Sequence, residues 1–176
     1  TLYFNGIPRN ISIQGRDGGD YTNEYNNARC IIINMCDRDL SKYDTILNQL
    51  KERFGRNIFP LTMPVNEGNN FNQIGDVLKK EVLEFNASGE YSSKTPDGEW
   101  ETKLPALHEE LIEMVAESDE SLLESFFEKG ELNEEELRGG LSKAINEGLI
   151  PVFLVSNSKI QFSIFPSPDC IAVLVG

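Results

Sequence analysis

The chain has 176 residues, of which 39% are hydrophobic, enough for one core with a small attached subdomain. Its net charge of −13 at pH 7 argues against tight, direct nucleic-acid binding, because such surfaces hold phosphates with Lys and Arg. The three cysteines, Cys30, Cys36 and Cys170, are odd in number and lack zinc-site spacing, which favours a reducing, cytoplasmic location. No apolar run approaches the ~20 residues that span a bilayer, so we expect a soluble protein without a membrane partner.

Two interpretations are open for the first six residues. The stretch "TLYFNG" is similar to the tail that expression tags leave (E-N-L-Y-F-Q-G), but Leu2, Tyr3 and Phe4 could equally form an edge strand. The remainder of the first 29 residues is rich in Asn, Gly and Asp. This composition predicts a loop with at most one short strand, "ISIQ".

A strand and a helix are predicted next. "CIIIN" at 30–34 is a short β-branched run, typical of a strand buried on both faces of a parallel sheet. Apolar residues then recur at helical spacing from about residue 41 to 54, and Gly55 provides a left-handed stop. The following "NIFPLTMPV" at 57–65 is predicted to be extended because two prolines exclude a helix.

The segment from 66 to 148 reads as an insertion. Residues 71–86 fit either a helical turn or a strand, and "EYSSKTPDGEWETK" predicts a hairpin with its tip at "TPDGEW". Three apolar stripes then predict three helices, with Asn133 as an N-cap and Gly148 as a stop. The stripes comprise Leu107, Leu111, Ile112, Val115 and Ala116; Leu122, Leu123, Phe126 and Phe127; and Leu137, Leu141, Ala144 and Ile145. The only histidine, His108, is expected to face solvent.

A second buried strand, "LIPVFLVS" at 149–156, closes this pattern. Two strands, each followed by a polar loop and separated by a largely helical stretch, predict an α/β sheet into which a subdomain is inserted. The predicted division is a core of residues 24–65 and 149–176, an inserted subdomain of residues 66–148 and a separate segment of residues 1–23.

An ordered series of motifs resembles the translational GTPase elongation factor G, especially its elongation factor G-like branch. "EYNNARCIIINMCDR" at 24–38 is similar to the family's E-Y-G-V-P-R pattern, apolar strand and N-K-M-D-R loop. "VSNSK" at 155–159 lies where the family has its last nucleotide loop, and "FPSP" at 165–168 resembles the family's link to its second domain. The resemblance covers roughly residues 24–170 and does not extend to residues 1–23.

The resemblance implies part of a P-loop-GTPase-like sheet with a helical and hairpin-containing inserted subdomain. It also implies a GTP or GDP site whose base-binding residues are Asn34, Met35, Asp37, Ser156, Asn157 and Lys159. One carboxylate, that of Asp37, can accept from both N1–H and N2–H of guanine, and leaving such donors unpaired costs ~1–3 kcal/mol each. Met35 replaces the lysine that covers the base in the family, and Asn157 replaces a small alanine. Without the family match, Asn34 and Asp37 also fit a polar turn and a helix cap.

The phosphate-binding half of such a site has no counterpart in the sequence. No G-x-x-x-x-G-K-[ST] loop and no D-x-x-G motif are present, and these motifs hold the phosphates and Mg²⁺. We therefore expect weak or no nucleotide binding, no hydrolysis and no bound metal from this chain alone. A partner chain could supply the missing strands, or the chain could be a rebuilt fragment.

Two functions remain open at this point. One is the guanine-nucleotide-binding part of an elongation factor G-like factor, whose parent protein uses GTP to drive movement on the ribosome. The alternative is a protein-binding module, because the family's inserted subdomain contacts the ribosomal stalk protein. The acidic run "ELNEEE" at 131–136 fits a solvated helix start better than a docking patch.

Overall fold

The computed structural model describes residues 2–5, 30–34, 36–37, 42–86 and 88–155. Within these ranges the chain is a mixed α/β structure with two four-stranded sheets and four α-helices. The α/β class predicted from the sequence is thus confirmed.

The first sheet is parallel and contains both strands predicted to be buried. Its strands are β1 (Leu2–Asn5), β2 (Ile31–Asn34), β3 (Ile58–Pro60) and β8 (Ile150–Val155), in the spatial order β1-β2-β8-β3. Ile31, Ile33, Val152 and Phe153 are completely buried, as a sheet covered on both faces requires. Of the two interpretations of the first six residues, the structure has the edge strand, and β1 covers the outer edge of β2.

Helix α1 (Tyr43–Phe54) follows β2 and packs on this sheet. The sequence predicts this helix from residue 41, so its observed start agrees within two residues. Tyr43, Ile46, Leu47 and Leu50 are its buried residues. Gly55 ends the helix with a positive φ of 76°, which only glycine adopts without strain.

The second sheet is antiparallel and resolves the ambiguous segment. It comprises β4 (Thr62–Pro64), β5 (Gln73–Asp76), β6 (Glu81–Phe85) and β7 (Tyr91–Lys94) in that order. Residues 71–86 therefore contribute two strands. In β6, Leu83 and Phe85 share one face and Val82 lies on the other, and all three are buried. The predicted hairpin tip at "TPDGEW" is wrong: this stretch connects β7 to the next helix.

Three helices follow the second sheet: α2 (Trp100–Ala116), α3 (Glu120–Lys129) and α4 (Glu134–Glu147). Helix α2 starts seven residues before the first apolar residue of its predicted stripe and contains Pro105. It begins early because the Trp100 side chain is buried, 6% exposed, against the second sheet. Helix α4 has the predicted cap, with Asn133 and Glu136 forming a reciprocal capping box.

The two sheets are joined directly, at a single residue. Leu61 lies between β3 and β4, donates its N–H to Val152 O at 3.0 Å and accepts from Val77 N at 3.1 Å. The second sheet thus begins at residue 62, whereas the sequence places the insertion boundary at residue 66. One continuous apolar core contains residues from both sheets and from α1, α2 and α4.

His108 departs from the sequence-based expectation. Its ring is half-buried rather than solvent-facing, and Nδ1 lies 2.9 Å from Val77 O. Because a carbonyl oxygen only accepts, Nδ1 carries the proton. Burial lowers the pKa of His108 below its usual range. The hydrogen bond from its ring to Val77 O joins α2 to the turn after β5.

None of the helices in the described ranges is both long enough and apolar enough to cross a membrane.

Candidate nucleotide-binding site

The register of the parallel sheet brings three strand ends into one row. Asn5 pairs with Asn34, and Asn34 pairs with Val155. The chain therefore leaves β2 and β8 side by side at the carboxyl edge of the sheet. In open α/β sheets, ligands bind at this edge.

Only part of the predicted base-binding set falls within the described structure. Asn34 is the last residue of β2, and Asp37 lies in the turn that follows, where it is partly buried. Met35, Ser156, Asn157 and Lys159 lie outside the described residues. The sheet thus aligns the segments that carry Asn34 and Asp37 with the strand that leads to residue 156.

The turn after β2 is bonded to the segment between β4 and β5 of the second sheet. The Cys36 side chain is completely buried, and Cys36 O accepts from Gly68 N at 2.9 Å. The burial of the Cys36 side chain and the hydrogen bond to Cys36 O together fix the backbone on one side of Asp37. A fixed backbone is what a base-reading carboxylate needs, because recognition depends on a defined position of its two oxygens.

The start of α1 is fixed by the same segment between β4 and β5. Tyr43 N donates to the Glu67 carboxylate at 3.1 Å, so an acidic side chain from another segment caps the positive end of the helix. Glu67 and Gly68 are adjacent in the chain. Gly68 bonds to Cys36 in the turn after β2, and Glu67 bonds to Tyr43 at the start of α1.

Tyr43 adds a third attachment at the base of this loop. Its side chain is 1% exposed, and its hydroxyl donates to Thr62 O at 3.2 Å. Burial, together with the nearby Cys36, Asp44 and Glu67, raises the pKa of Tyr43 well above its usual value. The phenol therefore stays protonated and acts as a structural donor.

Thr62, which accepts from Tyr43 through its carbonyl oxygen, also bonds to β8. Its hydroxyl oxygen accepts from Leu154 N at 2.9 Å and so continues the hydrogen bonding of β8 beyond the end of β3. Leu154 is the last residue but one of β8. The turn after β2 and the end of β8 thus contact one cluster, which we call the loop anchor: Cys36, Tyr43, Thr62, Glu67 and Gly68.

Sequence reasoning identified none of the loop anchor as functional. Tyr43 falls in the helix predicted from about residue 41 to 54, and Glu67 and Gly68 fall in the predicted insertion of residues 66–148. The contacts join residues 24 and 92 positions apart, as in Tyr43–Glu67 and Thr62–Leu154. No local pattern signals such pairs.

The described residues contain no group of three or more His, Cys, Asp or Glu side chains placed to hold a metal ion. Among the predicted site residues, the one whose side chain the structure describes at this edge is Asp37, a partly buried carboxylate. A carboxylate suits a ligand that presents two neighbouring N–H donors.

The overall fold matches a known structure. A crystal structure of a protein from Thermus thermophilus superposes with a TM-score of 0.81 and 22% sequence identity, over 97% of this chain. The chain spans a quarter of the length of that protein. No protein-family model matches the sequence. The comparison establishes the fold: this chain has the same α/β architecture as one part of a longer bacterial protein.

Proposed function

We propose that this chain is the guanine-base-binding part of a translation factor similar to elongation factor G. The observation that carries the proposal is the parallel pairing of β2 with β8 in register Asn34 to Val155. Two loops that resemble the family's base-binding loops then start as neighbours at one sheet edge. A chance resemblance of letters would not require these strands to be adjacent.

The same proposal assigns the parallel sheet to the P-loop-GTPase-like class. A parallel sheet with a helix after β2, interrupted by a hairpin sheet and three helices before β8, is consistent with a P-loop-GTPase-like sheet carrying an inserted subdomain. In this assignment β1 takes the place of the sheet strand next to β2. The parent protein would bind GTP and act on the ribosome in the cytoplasm.

Each site residue has a distinct role in the proposal. Asp37 accepts from guanine N1–H and N2–H, Asn34 joins the loops and reaches the purine edge, and Met35 covers the ring with an apolar chain. The backbone N–H groups of Ser156 and Asn157 face the guanine O6, and Lys159 helps to close the pocket. The loop anchor holds the backbone on which Asp37 depends.

Binding by this chain alone is expected to be weak. The sequence has no phosphate-binding loop, and phosphate and Mg²⁺ contacts supply much of the affinity in such sites. We expect no hydrolysis and a dissociation constant for GDP weaker than micromolar. A method that detects millimolar binding is therefore required.

A titration of GDP and ADP by ligand-observed NMR tests the proposal. We expect saturable binding of GDP with little binding of ADP, and loss of the preference in Asp37→Ala, because the variant leaves two guanine donors unpaired. The matched control is Asp44→Ala, which removes an exposed carboxylate from the first turn of α1 and should keep the preference.

A second variant tests the missing lysine. Met35→Lys restores the family's residue and should tighten GDP binding if this loop covers the base. Equal binding of GDP and ADP by the unmodified chain, or no response to either Asp37→Ala or Met35→Lys, would refute the proposal.

The helical segment supports a second function, binding to a protein of the ribosome. Helices α2, α3 and α4 are strongly acidic on their exposed sides, and the family's inserted subdomain contacts the ribosomal stalk protein. Pull-down of purified stalk protein by the chain in the absence of nucleotide would favour this function. Absence of such binding at high micromolar concentrations would count against it.

A further inference from the structure

Helix α3 exposes an aromatic side chain that the fold does not use. Phe127 is 77% exposed, and α3 has no buried residue. Leu122 and Phe126 lie partly buried against the core and hold the helix on one side only. Phe127 lies one turn after the half-buried Leu123, so the apolar face of α3 extends beyond the part that packs to the exposed ring of Phe127.

The border of this face is acidic. Glu120, Glu124 and Glu128 follow each other at i, i+4 spacing beside Leu123 and Phe127. Within residues 117–136 the sequence places nine of its 29 carboxylates and one of its 16 basic residues. Asp119 and Glu136 are paired with Lys143 and Lys129, whereas the three glutamates of the stripe form no ion pair with another described residue.

We propose that this face, defined by Leu123, Phe127, Glu120, Glu124 and Glu128, docks a basic amphipathic helix of a partner protein. Phe127 would enter an apolar groove on the partner, and lysine or arginine side chains would meet the glutamate stripe. Charge complementarity selects this occupant, because a second copy of this chain would bring a second acidic stripe against the first.

The expected contact is small and transient. One exposed aromatic ring with a neighbouring leucine is far less than the ~800 Å² per partner of a stable interface. Aromatic anchors nevertheless supply much of the binding energy of small interfaces, and the charges mainly accelerate association. The inference rests on the second function proposed above, protein binding by the helical segment, and does not involve the guanine site.

A pair of synthetic helical peptides tests the docking face. One peptide of about 18 residues, long enough to form a helix, has leucine on one face and lysine on the other; its counterpart has glutamate in place of lysine. Fluorescence anisotropy measures binding to the full chain. We expect the lysine peptide to bind, the glutamate peptide not to bind, and Phe127→Ser to weaken the lysine peptide about tenfold.

Matched controls separate the face from general charge attraction. Tyr91→Ser removes the second large aromatic side chain that is exposed within the described ranges, 50% exposed, and should leave binding unchanged. The double change Glu124→Gln and Glu128→Gln should weaken binding more than Glu109→Gln and Glu113→Gln, which removes two exposed glutamates at the same spacing on α2. Unchanged melting temperatures confirm that all variants fold.

Equal losses in the two glutamate pairs, or in Phe127→Ser and Tyr91→Ser, would show charge attraction alone and overturn the inference. A concentration-dependent dimer that Phe127→Ser abolishes would also overturn it, because a second copy would then cover the face. Stalk-protein binding that survives Phe127→Ser would leave the second proposed function standing while removing this surface from it.

Discussion

Asp76 is a carboxylate placed where ionisation is unfavourable. It ends β5, is 1% exposed, and its Oδ1 accepts from Lys79 N at 3.1 Å. No described residue donates to Oδ2. Burial raises the pKa of Asp76 above its usual range, and the N–H groups of Lys79 and Leu78 counteract only part of this effect. Asp76 shapes the turn after β5 but weakens the fold when charged.

A pH-dependent effect of Asp76 on stability follows. Because its pKa is higher in the folded state, the folded chain binds more protons than the unfolded chain, and stability falls as pH rises above the unfolded value of 3.8. Asp76→Asn keeps the Oδ1 acceptor and removes the charge. We expect this variant to be more stable than the original chain at pH 7 by roughly 1 kcal/mol.

Urea unfolding of both chains between pH 4 and 7 measures the difference. The advantage of Asp76→Asn should shrink as pH falls, because the native carboxyl then becomes protonated. Taking the difference removes the opposite contribution of carboxylates whose pKa is lowered, such as Glu84 and Asp119. An advantage that stays constant over this pH range would contradict the assignment.

At the level of secondary-structure elements, the packing of three helices depends on one glycine. A Cβ at Gly140 of α4 would lie 2.5 Å from Leu122 Cδ1 of α3 and 2.5 Å from Val115 Cγ1 of α2. Real carbon atoms do not approach so closely. Gly140 therefore sets how near α2 and α3 come to α4, at the expense of the helix propensity that another residue would provide.

The neighbouring Gly139 provides a matched control. We expect Gly140→Ala to lower the free energy of unfolding by about 1–3 kcal/mol, because the added methyl group overpacks the interface. Gly139→Ala should raise it by about 0.5–1 kcal/mol, since nothing lies within 4 Å of its Cβ and alanine favours the helix. Thermal and urea unfolding distinguish the two, and equal effects would contradict the packing model.

The helices illustrate what local pattern can and cannot predict. Helix α4 was predicted with its cap and stop, because Asn133 acts on residues within its first turn and Gly148 directly follows its last residue. The stripe of α3 was only partly right: Leu122 and Phe126 pack, whereas Phe127 is exposed. Periodicity indicates which residues share a face, but only the position of neighbouring helices decides how much of that face is covered.

For the whole molecule, the joining of two sheets at Leu61 implies cooperative unfolding. Leu61 is bonded to β8 and to the turn after β5, and one apolar core spans both sheets. The only tryptophan, Trp100, packs against Gly75 of the second sheet. Its fluorescence therefore reports on the second sheet.

This arrangement predicts that a destabilising substitution in one sheet also destabilises the other sheet. Ile33→Val removes one methylene from a completely buried position in β2 and should cost about 0.5–1.5 kcal/mol. The midpoints of Trp100 fluorescence and far-UV circular dichroism should shift together to lower urea concentration. An unchanged fluorescence midpoint would instead mean that the two sheets unfold independently.

Local sequence was sufficient to predict the two buried strands β2 and β8, the helix that follows the first of them and the cap of α4. These features depend on residues close together in the chain, where periodicity, glycine and capping chemistry act directly. The role of Asp37 came from the family resemblance and stays a prediction. The three-dimensional arrangement was needed to learn that β2 and β8 are neighbours, that Glu67 caps α1, that Thr62 supports β8 and that Phe127 is left uncovered. Each of these depends on contacts between distant segments, because their geometry is set by packing rather than by local preference.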